Sequence, residues 1–366
     1  MKISEEHRLI QETVRKFTEK EVTPIAEKMD REEYWPEDFF KKMGELGILG
    51  PTISEEYGGV GGDALSQVLI SEELAKGCMG VAISYLSHAN LCAHNLYKNA
   101  NEEQRRKYLP PLCSGEKVGA LALTEPGAGS DAMGIQTSAV REGDFYRLNG
   151  TKMFITNAPM ADTLIVYTKT DKSKGAHGIT AFIVESGFEG FSVGRKLEKM
   201  GCRASPTAEV IFDNCMVPAE NVLGEVNKGV AVTMTGLDIE RVMVAATSLG
   251  VAEAAFAEAL KYAQEREQFG RPIAQFQLIQ AKLADMYTGI EAARLIIYDT
   301  AVRSETEKRL RKESAAAILF TAEMATRVCL DAVQIHGGYG YMLEFPVNRY
   351  YRDVKGLEIG AGTSEI

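Results

Sequence analysis

One long helical run constrains the fold of this chain more than any other feature of its sequence. In MTGLDIERVMVAATSLGVAEAAFAEALKYAQEREQFG, residues 234–270, apolar residues recur three and four positions apart and alanine is abundant. A helix of this length buries such a face by packing along other helices. Two further helical patterns follow, one from Gln275 into the region of Arg303 and one in KESAAAILFTAEMATRVCLDAVQIHGG. The pattern therefore predicts a helical bundle.

The part of the chain before this run divides into a helical region and a β region. SEEHRLIQETVRKFTEKEV has Ser4 as an N-cap and apolar residues at helical spacing, and LISEELAKG is similar. Strand-like patterns then appear in FYRLNGTKMFITN, DTLIVYTKT, GITAFIVES and AEVIFDNCMVP, and Asn149-Gly150 indicates a hairpin turn. We predict an α+β multidomain protein with an all-α domain at 1–119, a β domain at 120–225 and the bundle at 226–366.

Charge, cysteine and histidine usage exclude several classes of protein and site. The net charge of −10, without a dense Lys/Arg block, disfavours a nucleic-acid partner. No apolar stretch reaches membrane-spanning length and no signal or transit peptide is visible, so we expect a cytoplasmic protein without membrane insertion. The six cysteines form no C-x-x-C pair, which indicates reduced thiols. His88 and His94 are candidate ligands, but two isolated histidines are more often structural, and we expect no metal site.

The Gly-rich stretch LALTEPGAGSD is the first candidate binding element, since no G-x-G-x-x-G, P-loop or G-x-S-x-G motif occurs. Its free N–H groups and the hydroxyls of Thr124 and Ser130 are suited to a polar ring or an anion. In the nearby MFITN, Phe154 and Thr156 are two residues apart and share one face of a strand. An ordinary loop accounts for the first stretch equally well, but together they are typical of a platform for a flat ring with polar edges.

Two further stretches have residues suited to a nucleotide. EREQFGRPIAQFQLIQ places Arg266, Phe269 and Gln277 near a break between helices, where a guanidinium and an aromatic ring suit pyrophosphate and adenine. A capped helix end would contain the same residue types. In QIHGGYGY, glycines end a helix and allow the backbone to approach a ligand closely.

Charged residues within the long apolar run raise a separate question. Asp238, Glu240 and Arg241 lie in TGLDIERVMVAA, and Glu240 shares a helical face with apolar neighbours. One interpretation is that these acids complement the dipole of the first helical turn and pair with Arg241. The other is a carboxylate in an apolar pocket, whose pKa rises toward the range of a general base.

Five motifs taken together resemble the acyl-CoA dehydrogenase family. They are TEPGAGSD, KMFITN, REQFGRPI, QIHGGYG and GAGTSEI, in this order across nearly the whole chain. The resemblance implies an N-terminal helical domain, a β-barrel-like middle domain, a C-terminal four-helix bundle and non-covalent FAD at their junction. It also implies at least a dimer, because relatives hold FAD across a subunit boundary, and the homotetramer is their usual assembly.

The resemblance assigns cofactor and substrate roles motif by motif. Flavin contacts are expected from Leu121, Leu123, Thr124, Phe154 and Thr156, with Ser130 near both flavin and thioester. FAD phosphate and adenine contacts are expected from Arg266, Phe269, Gln277, Gln334, Gly338, Thr363 and Glu365. Substrate contacts are expected from Ser130, Asp238, Arg241, Ala361 and Gly362.

Relatives place the catalytic glutamate in one of two positions. Many have it just before the terminal G-T-S, where this chain has Ala361. An isovaleryl-CoA dehydrogenase-like subgroup has it in G-L-D-x-E-R, which GLDIER matches with Glu240. Glu240 would then remove the α-proton of an acyl-CoA while a hydride passes to flavin N5. A ribityl hydroxyl and the Ala361 N–H would polarise the thioester carbonyl, a role that needs no side chain at Ala361.

The substrate expected from the resemblance is a short branched-chain acyl-CoA such as isovaleryl-CoA. Ala231 stands where isovaleryl-specific relatives often have an aromatic residue, which makes a cyclic or aryl-substituted acyl-CoA the alternative, of cyclohexane-carboxyl or benzylsuccinyl type. The expected electron acceptor is an electron-transferring flavoprotein. A non-catalytic scaffold that binds flavin or acyl-CoA is a third reading, which the FAD motifs and Glu240 disfavour.

Overall fold

The N-terminal part of the chain is helical. The computed structural model describes residues 3–307 and 309–366, without the side chains of 235–238. Its first α-helices are α1 Glu5–Phe17, α2 Ala26–Glu32, α3 Phe39–Glu45, α4 Ala64–Gly77, α5 Met79–Leu86, α6 Asn95–Asn99 and α7 Glu102–Cys113. Ser4 caps α1 as predicted, because its Oγ accepts the His7 N–H at 3.2 Å. Two π-helical stretches, Thr18–Val22 and Ser87–His94, were not expected from the sequence.

The middle of the chain forms one mixed sheet. Its strands are β1 Gly119–Ala122, β2 Ser138–Glu142, β3 Phe145–Thr156, β4 Thr163–Lys169, β5 Ile179–Glu185, β6 Phe191–Lys196, β7 Thr207–Pro218 and β8 Val222–Leu223. The hydrogen-bonded order is β6-β7-β3-β2-β4-β5-β8, and β1 pairs in parallel with β4. Among the described strands this path has two ends, β6 and β8. The part predicted to be barrel-like is therefore a sheet whose two ends are not paired with each other.

The prediction of a hairpin turn at Asn149-Gly150 is wrong. Both residues lie inside β3, and the turn between β2 and β3 falls at Gly143-Asp144. Gly150 instead marks a register shift between β3 and β7. A Cβ at Gly150 would lie 2.5 Å from Thr137 Oγ1, so glycine is needed there for close packing.

The C-terminal part is a bundle of long helices. These are α8 Gly229–Glu265, α9 Gln277–Ser304, α10 Arg311–His336 and the shorter α11 Pro346–Val354. A ribbon of β9 Glu267–Gln268 and β10 Arg271–Pro272 joins α8 to α9. As predicted, α10 ends in QIHGG, where Gly337 has φ 59°. The order of helical, sheet and helical parts confirms the predicted fold class.

Helix α8 is long and apolar enough to cross a membrane by length and composition alone. The sequence reading that no stretch has this character is therefore wrong. In the described residues, 72% of its most apolar window is buried within the protein. It packs against α4, α9 and α10, and a core helix surrounded in this way is apolar on most of its faces.

Three apolar clusters place the candidate site. One joins α4 and α5 to the bundle helices. A second fills the space between α7 and the sheet and includes Tyr167 and Val232. The third covers the other face of the sheet. The N-terminal half of α8 contributes Val232 to the second cluster and Val242 to the first, so Glu240 lies on a helix that spans both.

Candidate active site

Glu240 is a half-buried carboxylate on α8, and its charge is poorly solvated. Desolvation raises the pKa of Glu240 to about 7, and the nearby Arg241 opposes that rise. An ordinary ion pair at the start of a helix would lower the pKa of the acid instead. The electrostatics therefore favour the interpretation of Glu240 as a base over that of a helix-dipole acid.

Tyr167, on β4, lies close enough to Glu240 to interact with its charge. Burial raises the pKa of Tyr167 to about 12, and the carboxylate of Glu240 contributes to the rise. The Tyr167 hydroxyl accepts a hydrogen bond from Asn95 Nδ2 at 3.1 Å. Asn95 begins α6 directly after the π-helical stretch Ser87–His94, and π-helical turns are frequent at functional sites. Sequence reasoning missed Tyr167 and Asn95, although a phenol inside the apolar strand TLIVYTK was a signal.

The other predicted substrate contacts fall in different environments. The side chain of Asp238 lies outside what the structure describes, and Arg241 is half-buried on α8. Ala361 has φ 57° and Gly362 has φ 102°, so the chain turns sharply at these two positions. Ser130 is exposed in its Gly-rich loop.

The predicted ring platform is built where this loop meets β3. The Met153 N–H donates to the Thr124 carbonyl oxygen at 2.9 Å, so the loop and strand are joined at the two motifs. Leu121, Leu123 and Thr124 are half-buried, as is Thr156. Phe154 is 66% exposed and has φ 62°, a left-handed conformation that costs a non-glycine residue about 1–3 kcal/mol. An exposed ring on a strained backbone suits contact with a ligand.

Three buried polar residues support this platform, and sequence reasoning missed all of them. Lys152 and Glu125 form a buried ion pair at 2.8 Å between Nζ and Oε1. Asn157 is fully buried and its amide donates to the carbonyl oxygens of Ser84 and Gly119. The lysine was visible in the sequence as a charge within a strand, but its partner lies on a different element and could not be identified.

A second site lies at the end of α10. A cavity of about 430 Å³ is lined by Arg266, Gly338, Tyr339 and others, and the Arg266 guanidinium lies 5.7 Å from the Tyr339 ring centre. Arg266 and Gly338, two of the residues predicted to contact FAD, thus line one cavity. Phe269 is 94% exposed at the turn of the β9–β10 ribbon. Gln277, Gln334 and Glu365 are also exposed, and Thr363 is half-buried.

The two histidines considered as metal ligands have other partners. His88 Nδ1 accepts the Gly119 N–H at 2.9 Å and its Nε2 lies 3.0 Å from the Leu112 carbonyl oxygen. His94 Nδ1 lies 2.6 Å from Thr52 Oγ1. Burial lowers the pKa of both histidines to about 4. Within the described residues, no group of three or more His, Cys, Asp or Glu side chains could hold a metal ion.

Comparison with known proteins identifies the family to which this chain is related. Residues 4–116 match the acyl-CoA dehydrogenase N-terminal domain, residues 120–215 the middle domain and residues 227–366 the C-terminal domain. Together these three matches cover most of the chain.

Relatives and solved structures agree with these matches. The mitochondrial isovaleryl-CoA dehydrogenase of Solanum tuberosum is 48% identical over 97% of this chain and 87% of its own length. Subunit CarC of the caffeyl-CoA reductase-Etf complex of Acetobacterium woodii is 46% identical over 100% of this chain and 97% of its own. The structure of butyryl-CoA dehydrogenase from Megasphaera elsdenii has a TM-score of 0.98 and 45% identity, covering 100% of this chain and 96% of that one. The chain belongs to the acyl-CoA dehydrogenase family and is an oxidoreductase of that family.

Proposed function

We propose that this acyl-CoA dehydrogenase uses FAD to introduce an α,β double bond into a short branched-chain acyl-CoA, with Glu240 as the base. The observation that carries the assignment of the base is the half-buried Glu240 carboxylate, whose pKa is about 7. A base with a pKa near the working pH combines a large deprotonated fraction with useful proton affinity.

The residues present are suited to FAD. The cavity at the end of α10 offers a guanidinium at Arg266, an aromatic ring at Tyr339 and exposed backbone at Gly337 and Gly338, which suit phosphate and adenine. The exposed ring of Phe154 suits contact with a flat ring system. When bound, FAD supplies at its N5 atom the acceptor for the hydride that leaves the substrate's β-carbon.

The protein's own groups carry out the proton transfer. Glu240 takes the α-proton of the thioester, and the N–H of Ala361 donates to the thioester carbonyl oxygen as negative charge develops there. Since Ala361 acts through its backbone, the left-handed turn at Ala361 and Gly362 is what matters at this position. The surroundings of Glu240 solvate its charge poorly and so keep the carboxylate basic.

The proposal of a branched short-chain substrate is supported by the relative that is named isovaleryl-CoA dehydrogenase and is 48% identical to this chain. A cyclic or aryl-substituted acyl-CoA is the second candidate, because a relative at 46% identity is named a caffeyl-CoA reductase subunit. The resemblance places Ala231 where isovaleryl-specific relatives often have an aromatic residue, and its small side chain is compatible with this bulkier class.

The proposed electron acceptor is an electron-transferring flavoprotein, which the caffeyl-CoA reductase-Etf relative supports. The proposed assembly is a homotetramer. Large apolar side chains lie exposed near the cofactor residues, among them Phe269 and, on α9, Leu278, which is 82% exposed. A second copy of the chain would cover such side chains.

A flavin-bleaching experiment tests the base and the substrate class together. Wild-type and Glu240→Gln proteins are mixed anaerobically with linear, branched, cyclic and aryl-substituted acyl-CoAs, and the oxidised flavin band is followed. We expect the branched substrate to bleach the wild type fastest and Glu240→Gln to slow bleaching by roughly 10²–10⁴-fold.

The matched control is Glu323→Gln on α10, which makes the same change at an exposed glutamate and should bleach like the wild type. Fastest bleaching by an aryl or cyclic substrate would select the alternative class. Equal bleaching of wild type and Glu240→Gln would show that the base lies elsewhere.

A further inference from the structure

Strand β3 has one extra residue between Lys152 and Ile155. Lys152 pairs with Val210 on β7 and Ile155 pairs with Ala208, so three steps along β3 face two along β7. Phe154 lies inside this bulge with φ 62° and an exposed ring. A left-handed phenylalanine persists only where the surrounding structure holds it.

Lys152 holds the first end of the bulge. Its side chain is 0% exposed, and its Nζ donates to the Leu123 carbonyl oxygen at 3.0 Å and to Glu125 Oε1 at 2.8 Å. Glu125 also accepts the N–H groups of Gln136 at 2.6 Å and Thr137 at 2.9 Å. Through Glu125, Lys152 connects the strand to the TEPGAGSD stretch and to Gln136 and Thr137, just before β2.

Asn157 holds the other end. It is 0% exposed, has φ 67° and donates from Nδ2 to the carbonyl oxygens of Ser84 at 2.9 Å and Gly119 at 3.1 Å. Its backbone N–H donates to the Pro206 carbonyl oxygen at 2.8 Å. Asn157 thus joins the end of β3 to α5, to β1 and to the segment before β7.

Neither side chain is of the apolar type that forms the core on this face of the sheet. A buried ion pair is often no more stabilising than apolar residues of the same volume, because both charges lose their hydration. Its particular contribution is a fixed geometry, since every one of its hydrogen bonds has a preferred direction. The two side chains flank a strained segment, so the geometry that they fix is that of Met153–Thr156.

We propose that Lys152 and Asn157 are positioning residues that hold the bulge of β3, so that Phe154 and Thr156 meet FAD in one fixed arrangement. This inference rests on the proposed function for the identity of the ligand. It predicts that both residues act on FAD affinity through the bulge, in addition to any loss of stability when one partner of the buried ion pair is removed.

A double-mutant cycle separates these two roles. FAD release from the full-length holoprotein is measured by flavin fluorescence on dilution for wild type, Lys152→Met, Asn157→Gly and Phe154→Ala. The same measurement is made when each of the first two substitutions is combined with Phe154→Ala. Glycine at 157 can adopt the left-handed backbone without strain and removes the side-chain amide.

We expect each single substitution to raise the FAD dissociation constant about tenfold. In the Phe154→Ala background, Lys152→Met and Asn157→Gly should each raise the FAD dissociation constant by less than about twofold, because coupled residues give non-additive effects. A double variant whose FAD dissociation constant is raised roughly hundredfold would mean that Lys152 or Asn157 acts independently of Phe154, and this would overturn the proposal.

The matched control is Lys76→Met, which removes another lysine from buried carboxylates. Lys76 Nζ lies 2.9 Å from Glu73 Oε1 and 2.7 Å from Glu253 Oε2, between α4 and α8. It should lower the melting temperature and leave FAD affinity unchanged. If Lys152→Met does not fold, Glu125→Gln removes the same ion pair and takes its place in the cycle.

The outcomes distinguish this proposal from the proposed function. Wild-type protein that binds no FAD would contradict the proposed function. Wild-type protein that binds FAD, together with Lys152→Met and Asn157→Gly proteins that bind it equally well, would overturn only the positioning role.

Discussion

At the scale of single residues, the surroundings of a side chain decide its chemistry here. Glu240 and Glu125 are both acids whose charge loses solvation in the folded protein, yet their pKa values shift in opposite directions. Desolvation raises the pKa of Glu240 to about 7, and among the described side chains the charge that opposes this rise is Arg241. Desolvation also acts on Glu125, but Lys152 and the N–H groups at the end of the loop outweigh it and lower its pKa. The first carboxylate is suited to take a proton and the second to stay charged.

The pKa of Glu240 predicts how activity depends on pH. The base works only when deprotonated, so kcat/KM should rise about tenfold per pH unit below pH 7 and level off above it. The measurement is a pH profile of kcat/KM from pH 5 to 9 with an artificial electron acceptor. A profile that is flat through pH 7 would contradict the assignment of Glu240.

The same shift predicts an effect on stability. The pKa of Glu240 is higher in the folded than in the unfolded protein, so the folded state binds a proton more tightly. The ionised carboxylate therefore lowers the free energy of unfolding. This loss of stability is absent below the unfolded pKa of 4.5, grows as the pH rises toward 7 and is complete above pH 7. Glu240→Gln should therefore stabilise the protein by roughly 1–3 kcal/mol at pH 8 and by almost nothing at pH 4.5.

Urea unfolding at these two pH values measures that difference, with Glu323→Gln as a control that should show none at either pH. Equal stability of Glu240→Gln and wild type at pH 8 would mean that the folded protein solvates the carboxylate well.

At the scale of elements, close approach decides positions where local propensity would choose otherwise. Gly250 lies within α8, where alanine is the better helix former. A Cβ at this position would lie 2.2 Å from the carbonyl oxygen of Glu72 on α4. The glycine therefore sets how closely these two helices pack. At Gly150, packing against Thr137 likewise takes precedence over the turn propensity of Asn-Gly.

Gly250→Ala should destabilise the protein although it improves helix propensity. The overlap with rigid backbone should cost about 1–3 kcal/mol, more than the gain of up to about 1 kcal/mol from propensity. Gly289→Ala on α9 is the matched control, because its Cβ would meet only the flexible Met324 side chain, at 2.9 Å. Urea unfolding of both variants tests this, and a Gly250→Ala protein as stable as Gly289→Ala would contradict it.

At the scale of the whole molecule, the helical parts at the two ends of the chain share one core. The first apolar cluster contains residues of α4, α5 and the bundle helices. A cluster of charged side chains also links the N-terminal helices to the bundle. Arg15 and Lys76 form ion pairs with Glu73 on α4, and Lys76 also pairs with Glu253 on α8. The helix that carries Glu240 is therefore held by elements from both ends of the chain.

The exposed apolar side chains of the bundle predict self-association. We expect sedimentation velocity to give the mass of a tetramer of 40.1 kDa chains. Leu278→Asp should reduce the assembly, since a buried charge without a partner opposes association. Leu9→Asp on α1 is the control, because Leu9 is also exposed but does not lie on a bundle helix. A monomeric wild type would contradict the proposed assembly.

The sequence by itself determined the order of helical, sheet and helical parts, because periodicity and capping are local properties that each segment carries. It also identified Glu240, an acid in an apolar run, although two interpretations remained until its surroundings were known. Only the tertiary structure decided that Asn149-Gly150 is a bulge, that Tyr167 lies near Glu240, and that Lys152 and Asn157 support Phe154. Each of these depends on a contact between residues far apart in the chain, and such a contact leaves no periodic signal in either segment.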